Sequence, residues 1–359
     1  MIPSIPRDPS RLGQWALMLA GGLLLGLGLE RLHVPAALML GPILMGATLA
    51  LRGVAIRVGR IPHQFGQAIA GTLIALNLDP SVLGQTLQLW PVVIFFVVVT
   101  LALACVTGLV AARLTRLDQE VAVWGFMPGM AGTMIAMAHD RGIDSRMVAF
   151  IQILRLLMVI GTMIAVGAAL VGAAQPHGAG APAADAASTA LVLGLGLLGI
   201  AAARYLPMLP AGATLVPLVL ACLLWVNGVN IAIPHWLVAL GYLFIGAQAG
   251  LRFTPDLLRT GARALPMLVV SVLLLLGLCA LSGVLLSLVA GVDLMSAMLA
   301  TVPGSIDSIA LIAISTGSDI SFIMALQTVR LFAVVLLGPP LARAVLHLCD
   351  RSVAAARRG

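Results

Sequence analysis

The stretch MPGMAGTMIAMAHDRGID (residues 127–144) returns later in the chain as VPGSIDSIALIAISTGSD (residues 302–319). Each copy is followed by an apolar segment carrying Gln-x-x-Arg: IQILR at residues 151–155 and LQTVR at 326–330. A shift of 175 residues superposes Pro128-Gly129 on Pro303-Gly304, Gly142 on Gly317 and Asp144 on Asp319. The same shift carries Gln152 onto Gln327 and Arg155 onto Arg330. Each copy thus sets a helix-breaking Pro-Gly inside one apolar segment and an arginine inside the next. In a bilayer both features are costly, because freed backbone groups and buried charge each need a partner.

The register extends outward from these copies. It pairs Pro35 with Pro210, Pro42 with Pro217, Gly71 with Gly246, Pro91 with Pro266 and Asp118 with Asp293. One offset without gaps over that distance reads as an internal duplication. The surrounding sequence is 61% hydrophobic and 9% charged over 359 residues, with a mean hydropathy of +1.12. Apolar runs of about 20 residues, the length that crosses a bilayer core of roughly 30 Å, recur throughout. Strand-like alternation is absent, which argues against a membrane barrel.

The sequence therefore predicts an all-α polytopic integral membrane protein. It has two inverted-topology repeats, each of five transmembrane helices plus one broken re-entrant segment. In repeat 1 (13–172) helices are expected near 13–30, 34–51, 64–79, 90–113 and 146–172, with the broken segment at 120–139. In repeat 2 (188–349) they are expected near 188–206, 209–227, 237–254, 264–290 and 319–347, with the broken segment at 294–315. An Ala/Pro/Gly-rich linker (173–187) joins the repeats. A cytoplasmic tail (1–12) and a basic tail (350–359) flank them. Arg7 and Arg11 before the first apolar run, with no convincing cleavage site, read as an uncleaved first helix.

Arginine placement fixes the expected topology. All twenty basic residues are arginine. With the N-terminus inside and both broken segments re-entrant, seventeen arginines fall on the cytoplasmic side, only Arg31 lies outside, and two lie within helices. Full crossing by both segments would give a split of eleven against seven. The positive-inside rule favours the re-entrant arrangement. Five crossings is an odd number, so the repeats run in opposite directions. Both termini are expected in the cytoplasm of a bacterial inner membrane. The basic pI near 10.5 then reflects loop arginines, and nucleic-acid binding is not expected, since no basic stripe with interleaved aromatics exists.

Inverted repeats with a broken segment in each half are the plan of many secondary transporters. The second half-helices start at Met130-Ala131-Gly132-Thr133 and Ser305-Ile306-Asp307-Ser308, where free N–H groups and the helix dipole favour anions. Arg155 lies nine residues beyond Arg146, roughly 13–14 Å into the membrane, and Arg330 is similarly deep. An arginine there costs at least about 2.5 kcal/mol on insertion scales. Two readings stand side by side. The arginines bind an anion bidentately, or they cap the carbonyls released by the breaks, with Arg330 also able to pair with Asp307. Gln152 and Gln327 share the arginines' helix face, to bind solute or to tie helices together. Asp307 is a proton- or cation-coupling group or a counter-charge for Arg330. Repeat 1 has Gly132 at that position.

The candidate substrate-binding residues are Arg155, Arg330, Gln152, Gln327, Asp307, Ser305, Ser308, Thr133, Gly129, Gly132 and Gly304. Scattered histidines and four cysteines without ligand spacing point to no metal, no cofactor and no enzymatic centre. The expected partners are a small anionic solute and the lipid bilayer, with a homodimer as an open expectation for assembly. The faces of Gly66-Gly71 and Gly241-Gly246-Gly250 are expected to pack helices closely.

The doubled Pro-Gly segments, the 175-residue duplication and the Gln-x-x-Arg ending of each copy resemble the AbrB-type duplicated membrane proteins, over about residues 15–347. The resemblance implies labels rather than site residues. Members are described as AbrB-family regulators or as ammonia monooxygenases, and one enterobacterial relative as a regulator of aidB expression. The functional expectations are therefore a secondary transporter or exporter of a small anionic solute, a membrane protein acting indirectly on gene expression, and a membrane monooxygenase.

Overall fold

The computed structural model describes residues 9–78, 89–128, 134, 138, 142–170, 185–207, 209 and 211–334. Among these residues there are helices and no strand. Repeat 1 supplies α1 (Pro9–Arg31), α2 (Ala37–Leu51), α3 (Arg60–Leu76), α4 (Trp90–Thr115), α5 (Gln119–Phe126) and α6 (Ser145–Leu170). Repeat 2 supplies α7 (Ala186–Tyr205), α8 (Gly212–Val226), α9 (His235–Gly250), α10 (Pro255–Gly261), α11 (Leu265–Ala290), α12 (Leu294–Thr301) and α13 (Ile306–Thr316). A last helix, α14, is described over Ile320–Val334.

The 175-residue offset holds to the residue for α2 and α8, α4 and α11, and α5 and α12. It holds for the special backbone positions too. Ala36 and Ala211 are both left-handed (φ 51 and 54), as are Gly53 and Gly228, Arg116 and Gly291, and Gly142 and Gly317. Left-handed geometry costs an ordinary L-residue roughly 1–2 kcal/mol, so the matched alanines are a strain kept in both copies. They delay the starts of α2 and α8 by three residues relative to the sequence expectation.

Capping explains the other boundaries. Asp118 and Asp293 open α5 and α12, accepting from Glu120 N at 3.0 Å and Ser296 N at 2.9 Å. Asp144 opens α6, accepting from Arg146 N at 3.0 Å, and Asp319 opens α14, accepting from Phe322 N at 3.0 Å. Pro91 and Pro266 occupy the first turns of α4 and α11, where a missing N–H costs nothing. The short α10 lies in a connection read from sequence as loop.

Among the described residues, five helices are long and apolar enough to cross a membrane: Leu12–Arg31, Trp90–Thr115, Ser145–Leu170, Ala186–Tyr205 and Leu265–Ala290. Helices α2, α3, α8 and α9 have 15–17 residues. At 1.5 Å per residue that is about 22–26 Å, short of a full hydrocarbon core.

The chain divides into two compact units that cut across the duplication. Unit one contains residues 1–76 and 171–256, and unit two contains 77–170 and 257–359. Each therefore takes its helices from both repeats. In unit one α2 packs on α9 and α8 packs on α3, and the contacts are reciprocal. A methyl on Gly71 would come within 2.1 Å of the Thr214 carbonyl oxygen, and one on Gly246 within 2.5 Å of the Met39 carbonyl oxygen. Those two contacts exchange under the 175-residue shift. In unit two α4 packs on α11, α5 on α4 and α12 on α11. A methyl on Gly108 would lie 3.0 Å from Val123 Cα, and one on Gly283 3.0 Å from Met298 Cα, again a matched pair. The small-residue faces do pack helices closely, as their composition indicates.

Candidate functional site

Both breaks begin in unit two. Proline lacks an N–H and pushes the preceding residue out of helical geometry. Met127 and Val302 accordingly turn to ψ 123 and ψ 137, ending α5 and α12. The last carbonyls of each half-helix then lack intrahelical donors. They lie among fully buried side chains such as Trp124, Phe126, Met127 and Phe322, so donors must come from the protein.

The Gln-x-x-Arg pairs supply them. In repeat 1, Gln152 Nε2 donates to Trp124 O at 3.1 Å and to Met127 O at 3.0 Å. Arg155 Nη1 donates to Phe126 O at 2.7 Å and to Met127 O at 2.9 Å. Its Nη2 donates to Gln152 Oε1 at 2.8 Å. In repeat 2, Gln327 Nε2 donates to Leu299 O at 2.7 Å and Val302 O at 3.3 Å. Arg330 donates from Nη1 to Val302 O at 2.6 Å, and from Nη2 to Gly304 O at 3.0 Å and to Gln327 Oε1. All four side chains are buried. Each pair closes a ring of arginine, carbonyl and glutamine that holds the broken half-helix against the next long helix. Carbonyl capping is thus what both guanidinium ends do in this structure.

The Arg330–Asp307 pairing is not formed. Arg330 reaches the end of α12 and the Gly304 carbonyl, whereas Asp307 lies in the first turn of α13. There a carboxylate complements the positive end of the helix dipole. Among the described residues neither Arg155 nor Arg330 has a carboxylate partner. A steric path links the two clamps. A methyl on Gly304 would meet Ile309 at 2.7 Å and Val159 at 3.1 Å, and Val159 is one turn beyond Arg155 on α6. Ser305 starts α13 without capping it through its side chain, and Ser308 is buried in the first turn. Gly129, Gly132 and Thr133 lie outside the described residues.

The turns that follow the two breaks match. Ile143 N donates to Ala138 O at 2.9 Å and Ser318 N to Ala313 O at 3.0 Å, across the left-handed Gly142 and Gly317. Sequence reasoning missed Thr301, whose hydroxyl donates to Cys279 O at 3.1 Å and ties α12 to α11. Its register partner is Phe126, so the duplication carried no signal for it. It also missed Thr100 on α4, whose hydroxyl donates to Phe96 O at 2.8 Å and lies 3.5 Å from Thr301 O.

These features define a helical protein with membrane-length helices, built by duplication around two interrupted helices. The chain belongs to the AbrB family: the family described as "Transition state regulatory protein AbrB" matches residues 39–346. It is 37% identical over 337 residues to "Putative regulator AbrB" of Escherichia coli (strain K12), across 92% of this chain and 96% of that protein. It is 26% identical over 301 residues to "Uncharacterized protein YhjN" of Bacillus subtilis (strain 168), across 79% of this chain and 78% of that one. No solved structure matches the chain.

Proposed function

We propose that the chain is a secondary transporter or exporter of a small anionic solute, working by alternating access between two inverted repeats in a bacterial inner membrane, with both termini cytoplasmic. The observation that carries this reading is the matched pair of interrupted helices in one compact unit, each break pinned by a buried Gln-x-x-Arg clamp. A soluble scaffold has no use for a broken helix held by a charge at that depth, whereas a solute pathway needs irregular backbone where it lines a cavity. Two buried guanidiniums without a carboxylate partner among the described residues favour a negatively charged solute. The start of α13, with Gly304, Ser305 and Ser308, is the second element of the proposed site. Gly129, Gly132 and Thr133 are its register counterparts by sequence. Asp307 is the proposed coupling group.

The second reading is a membrane protein that affects gene expression without moving solute, favoured by the word "regulator" in a relative's name. Proteoliposomes separate the two. A transporter gives saturable counterflow of a radiolabelled organic anion that protein-free liposomes lack. A regulator changes transcription in cells and gives no flux for any solute in the panel.

A further inference from the structure

The two clamps are not equivalent, and the difference leaves one guanidinium edge open. A guanidinium has five N–H donors: two on Nη1, two on Nη2 and one on Nε. The ring through Met127 O, Gln152 Nε2, Gln152 Oε1 and Arg155 Nη2 puts Gln152 on the Nη1–Nη2 end of Arg155. Phe126 O takes the other Nη1 proton. Among the described residues what remains is the Nε–H and the Nη2–H beside it, a parallel pair along one side of the guanidinium. Arg155 Nε is buried and has no hydrogen-bond partner, although the side chain is only 5% exposed. In repeat 2 the same ring forms, but the Gly304 carbonyl takes the second Nη2 proton of Arg330, so one of the two donors on that side is engaged.

The neighbouring residues differ as well. Thr301 O, which corresponds to Phe126 O, lies near the Thr100 hydroxyl. Phe126 O takes a proton from Arg155, and the register position of Thr100 on α11 is Leu275. Arg330 donates to the Gly304 carbonyl, whereas the Nε–H of Arg155 has no hydrogen-bond partner. The acids differ too. Repeat 2 places Asp307 in the first turn after its break. Repeat 1 has Gly132 there.

We infer that the Nε–Nη2 edge of Arg155 is the anion-recognition element, and that it takes a planar carboxylate head through two parallel hydrogen bonds, with Arg330 acting as a structural clamp. A carboxylate matches two N–H vectors side by side, whereas a spherical halide engages such an edge without that match. This inference rests on the transporter reading and narrows its substrate class to carboxylates.

The test uses the full chain in nanodiscs, with acetate, propionate and benzoate as probes against chloride, read by calorimetry and by the arginine Nε–H resonances of 15N-arginine-labelled protein. The expected result is saturable carboxylate binding, at least tenfold tighter than chloride, with one Nε–H resonance shifting downfield. Arg155→Lys keeps the charge but loses the two-pronged edge, so it should weaken carboxylate binding at least tenfold and more than Arg330→Lys does. The resonance shift in the unsubstituted protein covers the case in which Arg155→Lys does not fold. Equal affinity for chloride and carboxylates, no shifted Nε–H resonance, or a larger loss in Arg330→Lys would overturn the inference while leaving anion transport standing. Absence of flux for every anion would overturn the transporter reading beneath it.

Discussion

Arg155 Nη1 donates to the carbonyl oxygen of Met127 at 2.9 Å, closing the end of α5 from the neighbouring helix α6. Arg330 does the same to Val302 at 2.6 Å. These bonds replace the donors that Pro128 and Pro303 prevent the helix from supplying, and they tie each break to a long helix.

The glutamines are integral to these clamps. Gln152→Leu leaves Trp124 O without its donor and removes the acceptor of Arg155 Nη2. A buried polar group left unsatisfied costs about 1–3 kcal/mol. Gln152→Leu and Gln327→Leu should each lower the thermal midpoint of the purified protein measurably. An unchanged midpoint in both would show that the rings are not needed to hold the breaks.

Close packing in unit one predicts a matched pair of lesions. Gly71→Ala and Gly246→Ala each force a methyl against a helix carbonyl, at 2.1 and 2.5 Å before relaxation. Both should destabilise by similar amounts, about 1–3 kcal/mol for overpacking. Gly28→Ala and Gly277→Ala meet open space and should be neutral or slightly stabilising through helix propensity. Thermal unfolding of the four variants checks the ordering.

Asp307 is buried in the first turn of α13. As a coupling group its neutral analogue Asp307→Asn should retain solute exchange but lose the response of uptake to an imposed proton or sodium gradient. Gradient-driven accumulation at the unsubstituted rate would remove Asp307 from that role.

The start of α7 should respond to acid. Asp185 accepts from Ser188 N at 2.8 Å, and this hydrogen bond holds its carboxyl below the usual carboxylate range. A lowered folded-state pKa means that the cap contributes fully above the ordinary carboxylate range, near pH 4. Its contribution is lost as pH falls through the lowered value. Amide exchange at Ser188, corrected for the intrinsic rate, should speed up over that acid range. Asp185→Asn should abolish the pH dependence.

Much of this architecture was legible in the sequence because proline, glycine and capping aspartate act locally. Asp118 and Pro128 bracket α5, Pro266 marks the start of α11, and the Arg155 and Arg330 positions announced that something at the breaks needed a donor. Their place beside released carbonyls also made carbonyl capping readable from sequence. What sequence could not yield were relationships set by distant contacts. The division into units that mix the repeats depends on backbone approaches such as Gly71 to Thr214. The unequal clamps lie in which carbonyls the guanidiniums reach, Phe126 O for Arg155 and Gly304 O for Arg330. The left-handed Ala36 and Ala211 carry no compositional mark, since alanine is a strong helix former.

In the proposed inverted arrangement the two breaks approach from opposite faces of the membrane. Single cysteines at Ile143→Cys and Ser318→Cys, register equivalents just beyond Gly142 and Gly317, test it once Cys105, Cys222, Cys279 and Cys349 are replaced. An impermeant maleimide applied to intact cells should label Ser318→Cys and spare Ile143→Cys, with the pattern reversed in inside-out vesicles. Labelling of both cysteines from one side would contradict the account.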